Sequence, residues 1–359
     1  MKKINMQRLK VGDTLAEAIC SDYAYNVLLS EGTVIRQEHI DKLHALQAKG
    51  ISFVMGSPCD VSAISLDVLN KISDEQVRRA YLNTFMVGKS LFESIQVESA
   101  VNIELVFESV DLLVEQMLCN DTLLLQLAAV RIIDDYTFSH IVNAALYTAA
   151  FGRCLNKSPQ EIRDLCLAGL LHDMGKAKIS PDILRKPGEL TPAEFAEIKK
   201  HPQYGYDELS KVRDINERVR QAALQHHERG DGTGYPRGLQ GKEISLFARI
   251  IAIVDIYDAL TSDRCYRGRI LPHESVEVLM ADCATDRLDA ELVRTFLKHI
   301  ALYPIGTDVT LSDGRIGRVT DIHPEIPLRP IIQICEQEEN CTQVDLLEHP
   351  TLFISRVLS

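Results

Sequence analysis

The chain has 359 residues, of which 46% are hydrophobic and 25% are charged, so it can form about two or three compact units with buried cores. Its formal net charge of -12 argues against broad binding to nucleic-acid polymers, which requires a basic surface. No apolar run approaches the roughly 20 residues of a membrane span, and no apolar segment of signal-peptide length follows residues 1–8. We therefore expect a cytoplasmic protein without membrane insertion.

The cysteines are scattered along the chain, and none of them forms a Cys-x-x-Cys pair. Their number is nine, and an odd number without such pairs is more typical of reduced core thiols than of a disulfide framework or a zinc knuckle. We predict that they are packing residues. They are Cys20, Cys59, Cys119, Cys154, Cys166, Cys265, Cys283, Cys335 and Cys341.

Residues 1–58 alternate short apolar segments with turns and contain one segment with helical spacing, which predicts a small α/β regulatory module. His39 and His44 lie on that helical segment without a spaced ligand partner, so we interpret them as solvated. Residues 59–130 lack proline and are rich in Leu, Val and Glu at helical spacing from about residue 66. They predict long helices that link and pack the units of the chain.

An apolar stripe at helical spacing runs from Leu105 to Leu118. Such a stripe can form a dimer interface, but a core or interdomain face is at least as common. We therefore keep a homodimer, or a signalling partner that binds the N-terminal region, as alternatives.

Beyond Asp134, ionisable residues begin to occur inside apolar helices. His140 lies in such a helix-like stretch, where a lone histidine is more often a hydrogen-bonded core residue than a ligand. A capping box with proline at the first helical position begins at Ser158, and the helix that it opens brings His172 and Asp173 to its end. Burying these groups beside Lys176 would be costly without a counter-ion, whereas a divalent cation neutralises the aspartate. The alternative is a fortuitous ion pair at a helix end.

A second capping box, at Thr191, opens a helix that leads to His201. The pair His226 and His227 ends another helix-like run and is followed by the glycines and the proline of residues 230–236. Imidazoles bind transition metals, and glycines let a backbone come close to a bound group. The alternative is a pair of surface histidines before an ordinary turn.

Asp255 and Asp258 are three residues apart on a nearly apolar helix, so they share a face of it. A carboxylate buried that deeply needs a partner. Metal ligation would provide one for Asp255, and an ion pair with Arg249 or Arg264 is the alternative.

Residues 301–359 have a different composition, with alternating strand-like runs and a turn at Asp313-Gly314 that is typical of a β-hairpin. They predict a small β-rich C-terminal subdomain. The fold class is therefore mainly α, with residues 131–300 as a helical domain that carries the chemistry.

The pattern of histidines and aspartates from His140 to Asp255 resembles the metal-ligand pattern of the HD superfamily of metal-dependent phosphohydrolases. The stretch His-His-Glu-x-x-Asp-Gly-x-Gly-Tyr-Pro at residues 226–236 is similar to the HD-GYP family. The resemblance covers roughly residues 130 to 300. It implies an HD-type helical bundle with two or three metal ions, often iron or manganese. It also implies the hydrolysis of cyclic di-GMP in bacterial second-messenger signalling.

The same resemblance implies the roles of individual residues. Asp173 would bridge two metal ions, and Lys176 would contact the scissile phosphate or the attacking hydroxide. These two would be the catalytic residues. The implied metal ligands are His140, His172, Asp173, His201, His226, His227 and Asp255. The implied substrate contacts are Lys176, Gly234, Tyr235, Pro236, Asp258, Arg264 and Arg267.

The chain departs from the three-metal pattern at one position. Members with three metals carry a glutamate one helical turn before the first histidine, where this chain has Tyr136. We therefore expect two ions and a product that is mainly the linear dinucleotide pGpG, with slower or no conversion to GMP. An imidazole-rich ligand set favours Fe, Mn or Zn over Mg, and we expect Fe first and Mn next.

Three alternatives stay open at this point. The protein could be a phosphohydrolase that acts on nucleotides or on another cyclic dinucleotide such as cyclic GMP-AMP, or it could be a sensor that binds a cyclic dinucleotide without hydrolysing it. The complete set of two-metal ligands favours hydrolysis over sensing. Arg264 and Arg267 could supply the positive field that a dianionic substrate needs, or they could be solvated or paired with Asp258 or Asp263.

Overall fold

The computed structural model describes most of the chain: residues 2–3, 9–16, 19–21, 27–29, 32–48, 53–55, 74–99, 101–119, 136–184, 186, 188–261, 272–299, 303, 305–323, 326, 328–337 and 340–358. The fold is mainly helical, as predicted, with a small sheet towards each end of the chain. Among the described residues, no helix combines the length and the apolar composition that crossing a bilayer requires.

The N-terminal module combines strands and one helix, which confirms the predicted α/β content. Its strands are β1 (Lys2–Lys3), β2 (Ile19–Ser21), β3 (Val27–Leu29) and β4 (Phe53–Met55), and its helix is α1 (Gln37–Ala48). The strands pair antiparallel in the order β1-β4-β2-β3. A small core of its own lies under this sheet and is formed by Leu15, Ile19, Ile35 and Leu43.

The middle of the chain is mainly helical, and most of its helices share one hydrophobic core. Its helices are α2 (Glu75–Gln96), α3 (Ile103–Cys119), α4 (Tyr136–Cys154), α5 (Pro159–Leu171), α6 (Pro181–Leu184), α7 (Pro192–Ile198), α8 (His201–Ser210), α9 (Glu217–Gln225), α10 (Leu246–Thr261), α11 (Pro272–Ala284) and α12 (Ala290–His299). Short 3-10 helices lie at Met174–Lys178 and Gly241–Glu243. Helix α4 packs on α2, α5 and α10, and α9 contacts α5 and α10.

The apolar stripe of α3 is a core face. Val106, Val110, Leu113 and Met117 are buried in the same hydrophobic core as the helices that follow. The buried part of this stripe is therefore not available as a dimer interface.

Helix α2 packs closely on α4. Phe138 of α4 meets the rings of Phe85 and Phe92 edge-on, with centroids 6.1 and 5.4 Å apart. Gly88 permits this approach, because a Cβ at that position would lie 2.9 Å from Cδ1 of Ile141. Helix α2 is thus fixed against the helix that carries His140.

Both predicted capping boxes are confirmed. The Ser158 hydroxyl accepts the backbone N–H of Glu161, whose carboxylate accepts the N–H of Ser158, and Thr191 and Glu194 make the same exchange. These caps fix where α5 and α7 begin. Since α5 ends at Leu171, His172 and Asp173 follow directly at its C-terminus.

The C-terminal sheet consists of β5 (Asp308–Leu311), β6 (Ile316–Asp321), β7 (Ile331–Gln337), β8 (Asn340–Asp345) and β9 (Ile354–Val357). Its order is β8-β7-β6-β5-β9. The predicted hairpin is confirmed, because β5 and β6 pair antiparallel around the Asp313-Gly314 turn and Gly314 has a φ of +90°.

The prediction that every cysteine is a reduced packing residue is wrong for one pair. Cys335 and Cys341 form a disulfide. They lie opposite each other in the antiparallel pairing of β7 and β8, a register that their spacing in the sequence does not reveal. Cys166 is a free, buried thiol, as predicted.

Candidate metal centre

Five helices bring all seven predicted metal ligands together. The ligand atoms form two groups, and within each group they lie within 4.8 Å of one another. The first group combines the ends of α5 and α9 with the start of α8, and the second combines α4, the end of α5 and α10. The first consists of Asp173, His201, His226 and His227, and the second of His140, His172 and Asp255.

Backbone carbonyls fix the tautomers of three imidazoles. The Nδ1 atoms of His172, His201 and His226 lie 2.7, 2.7 and 2.8 Å from carbonyl oxygens three residues earlier in the chain. A carbonyl oxygen only accepts hydrogen bonds, so each Nδ1 carries the hydrogen and each Nε2 presents a lone pair. The Nε2 atoms of His201 and His226 then face each other at 3.2 Å. Two opposed lone pairs at this distance suit a shared cation.

Asp173 lies between the two groups. Its Oδ1 is 3.2 Å from Nε2 of His201, and its Oδ2 is 3.5 Å from Nε2 of His172. Oδ1 is buried and accepts no hydrogen bond within the described part of the chain. A buried carboxylate oxygen without a donor is costly unless a cation contacts it. The residues therefore fit a metal pair bridged by Asp173.

The charge states of the ligands also suit cations. Burial lowers the pKa of His172 to about 4 and lowers the pKa of His201 and of His227 as well. Burial alone would raise the pKa of Asp173, but Lys176 and the neighbouring imidazoles hold it well below its usual value. Neutral imidazoles and an ionised carboxylate are the protonation states that bind metals.

His140 has more acidic surroundings than the other imidazoles. Its Nε2 is 3.3 Å from Oδ1 of Asp255, and its Nδ1 is 2.7 Å from Oδ2 of Asp258. Burial lowers the pKa of His140, but the hydrogen bonds with these two carboxylates outweigh burial and raise it to about 10. The two carboxylates thus stabilise a positive charge at this ring, either a proton or a bound cation.

Lys176 projects from the 3-10 helix that follows the ligand pair of α5. Its Nζ donates to Oδ2 of Asp173 at 2.5 Å, and 27% of its side chain is exposed. The ammonium therefore lies at the open side of the bridging carboxylate, where an anionic group could reach it.

Asp258 does not occupy the position predicted for a substrate contact. Its side chain is buried behind His140, and it accepts hydrogen bonds from that ring and from Nδ2 of Asn143 at 3.0 Å. The shared helix face with Asp255 was predicted correctly, but the packing of α10 against α4 turns Asp258 inward. Arg249, the alternative partner of Asp255, pairs with Asp289 instead, at 2.7 Å.

Glu228, for which the sequence predicted no separate role, closes the loop after His227. Glu228 is buried and accepts the backbone N–H groups of Arg237 at 2.7 Å and Leu239 at 3.0 Å. Gly234 lies where this loop touches itself, because a Cβ there would be 2.3 Å from the backbone N of Arg229. The sequence feature that could have indicated this role is the position of Glu228, an acidic residue directly after the predicted ligands His226 and His227.

Tyr235 lies against His227, one of the predicted metal ligands. Its ring stacks on that of His227, with centroids 4.8 Å apart and an interplanar angle of 29°, and its N–H donates to the carbonyl oxygen of His227. Pro236 is exposed. Arg264 and Arg267 lie outside the described residues, as does the side chain of Tyr136, which begins α4.

The helical fold and the histidine–aspartate site define an HD domain. Residues 114–292 match the family described as HD domain, and residues 309–359 match the family described as KOW domain associated with HD domain. A solved structure, Bd1817, a HDG"Y"P protein from Bdellovibrio bacteriovorus, resembles the chain with a TM-score of 0.55 and 20% identity, over 82% of this chain and 97% of that one.

Two curated relatives with similar sequences are both named as cyclic-dinucleotide phosphodiesterases. The cyclic di-GMP phosphodiesterase PA4108 of Pseudomonas aeruginosa is 37% identical over 73% of this chain and 63% of the relative. The 3'3'-cGAMP-specific phosphodiesterase 3 of Vibrio cholerae is 39% identical over 47% of this chain and 36% of the relative. The chain thus covers less than two thirds of either protein. Residues 114–292, which contain the histidine pair and the Gly-Tyr-Pro stretch, thus form an HD domain of the HD-GYP type.

Proposed function

We propose that this chain is a metal-dependent phosphodiesterase that hydrolyses cyclic di-GMP to linear pGpG. The proposal rests on the position of Asp173. Its carboxylate is buried between histidines of both groups, and its Oδ1 accepts no hydrogen bond from the described residues. A cation on each side would satisfy this oxygen and the lone pairs that face it. The similarity to PA4108, which is named for cyclic di-GMP, supports the choice of substrate.

We assign the metals to the two groups described above, one ion to each, with Fe as the first choice and Mn as the second. Two such ions would acidify a water between them, hold the phosphate and offset the charge on the leaving oxygen. Asp173 would hold both ions in this arrangement. Lys176, half-buried beside it, binds a phosphate oxygen as a point charge. The stacked Tyr235 shapes the pocket next to His227.

The substrate and product are tested with a panel of cyclic dinucleotides and protein loaded with Fe or Mn. We expect cyclic di-GMP to be cleaved faster than cyclic GMP-AMP. We also expect pGpG to accumulate, because Tyr136 occupies the position of the glutamate that members with three metals carry. Chromatography of a time course follows both products, and chelator-treated protein is the control.

Three other outcomes of this panel would each contradict one part of the proposal. Faster cleavage of cyclic GMP-AMP, the substrate named for the V. cholerae relative, would contradict the choice of substrate. Rapid and complete formation of GMP without pGpG would contradict the proposed product. Tight binding of cyclic di-GMP without cleavage by the loaded protein would favour the sensor alternative.

We infer that Arg264 and Arg267 bind the phosphates or a guanine edge. Both follow α10 closely in the sequence, and the net charge of -12 leaves a dianionic substrate in need of local positive groups. Arg267→Ala should raise KM roughly tenfold or more at unchanged metal content, since a hydrogen bond to a charged group contributes about 1.5–3 kcal/mol. Arg267→Lys should restore KM only in part, because a point charge cannot form the fork.

The matched control for this prediction is Arg294→Ala, which removes the same charge from an exposed position on α12. Steady-state kinetics on cyclic di-GMP measure these variants together with Arg264→Ala. If Arg264→Ala and Arg267→Ala both keep wild-type KM and kcat, the arginines do not bind the substrate.

We infer that residues 1–58 act as a regulatory module, residues 59–130 as a helical linker, residues 131–300 as the catalytic domain and residues 301–359 as an accessory subdomain. The separate core of the N-terminal module supports its independence. A signalling partner or a second copy of the chain would then bind there rather than at the buried stripe of α3.

A further inference from the structure

His140 is oriented differently from three of the other ligand histidines. His172, His201 and His226 follow helix ends or begin a helix, so their Nδ1 atoms reach free backbone carbonyls. His140 lies within α4, where the backbone carbonyls take part in helical hydrogen bonds. Its Nδ1 therefore donates to a side chain, Asp258. The direction of this ligand depends on side-chain packing.

The hydrogen bonds continue beyond Asp258 into α2. Asp258 Oδ1 accepts from Nδ2 of Asn143 at 3.0 Å, and Oδ1 of Asn143 accepts from the hydroxyl of Tyr81 at 3.2 Å. These three residues are buried, with exposed fractions of 2, 9 and 0%. Three helices, α2, α4 and α10, thus contribute to one continuous network that ends at a metal ligand.

Every bond in this network has a fixed direction. An ionised carboxylate only accepts, so Asp258 must receive its bonds from the His140 ring and from the amide NH₂ of Asn143. The amide oxygen then faces Tyr81, which must donate. Burial, reinforced by the charge of Asp258, raises the pKa of Tyr81, so its hydroxyl keeps its hydrogen. The last donor of the network is therefore always available.

We propose that Tyr81 is a positioning residue for the metal site: through Asn143 and Asp258 it holds His140 with Nε2 directed at the group formed with His172 and Asp255. The proposal rests on the proposed metal-dependent function. It assigns a role in the site to α2, which precedes the matched HD domain residues 114–292. Without the hydroxyl, Oδ1 of Asn143 loses its donor inside the core, and the amide is free to rotate away from Asp258.

The experiment titrates metal-free, full-length protein with Co²⁺, whose visible spectrum reports the geometry of its ligands. Groups that orient metal ligands typically contribute about 10–100-fold to metal affinity. We expect Tyr81→Phe to weaken one of the two Co²⁺ binding events by roughly tenfold and to change its spectrum. The other event, at Asp173, His201, His226 and His227, should keep the wild-type affinity.

Two further variants separate positioning from general loosening of the core. Thr84→Val removes a buried hydroxyl one turn further along α2 that donates to the carbonyl of Ala80, and it should leave both Co²⁺ events unchanged. Asn143→Ala should weaken the same event as Tyr81→Phe, and the double variant should be no weaker than Asn143→Ala alone. Asn143→Ala also tests the proposal if Tyr81→Phe fails to fold.

The outcomes distinguish this inference from the proposed function. If wild-type protein binds two Co²⁺ ions and Tyr81→Phe binds both as tightly with the same spectrum, the inference is wrong and the metal site stands. An equal loss in Thr84→Val would also overturn it, because the effect would then be structural. If wild-type protein binds no Co²⁺, the proposed function fails together with the inference.

Discussion

Replacing Asp173 with alanine is expected to abolish hydrolysis and to remove most of the bound metal. The two carboxylate oxygens face different groups of imidazoles, with Oδ1 3.2 Å from His201 and Oδ2 3.5 Å from His172. One side chain would therefore serve both ions, and its loss would leave the first ion with neutral imidazoles alone and the second with Asp255 as its only carboxylate among the predicted ligands. Loss of several kcal/mol of charge stabilisation corresponds to a rate decrease of roughly 10³-fold or more.

Elemental analysis of protein purified without oxygen measures the metal directly. Wild-type protein should contain about two transition-metal ions per chain, and Asp173→Ala should contain far less. The control is Asp182→Ala, which removes an exposed carboxylate on α6 and should change neither metal nor rate. An active, metal-replete Asp173→Ala protein would contradict the bridging role, and three tightly held ions in wild-type protein would contradict the two-ion proposal.

The sequence identifies candidate ligands because their chemistry conflicts with their surroundings. His172 and Asp173 end an apolar helix whose start is fixed by a capping box, and Asp255 interrupts an apolar run. Polar groups in such positions need partners, and the residue types define what kind. The structure brings the side chains of all these candidate ligands close together.

The sequence did not predict which side chains support the ligands. Helical spacing places Asp258 on the same face as Asp255, but only the packing of α10 on α4 puts it behind His140 instead of at the opening. Tyr81 meets Asn143 across 62 positions of the chain, and no local pattern connects the two. The disulfide between Cys335 and Cys341 depends in the same way on strand register.

Replacing Gly175 with alanine is expected to destabilise the fold and to move His201 away from Asp173. The 3-10 helix Met174–Lys178 lies directly against the start of α8. A Cβ on Gly175 would lie 2.0 Å from the carbonyl oxygen of His201 and 2.4 Å from the backbone N of Gly205. Backbone atoms cannot rotate away as a side chain can, so α8 must move and carry His201 away from Asp173.

Gly205→Ala is the matched control, because it adds the same methyl group from the other side of this contact. Its Cβ would meet nothing nearer than the backbone N of Gly175 at 3.4 Å, an ordinary contact, and alanine favours a helix by about 1 kcal/mol over glycine. Denaturant unfolding of metal-free protein should show a loss of roughly 1–3 kcal/mol or more for Gly175→Ala and none for Gly205→Ala. Metal titration should show weaker binding at the His201 group only in Gly175→Ala. Equal stability and metal affinity in the two variants would show that α8 does not need this close approach to place His201.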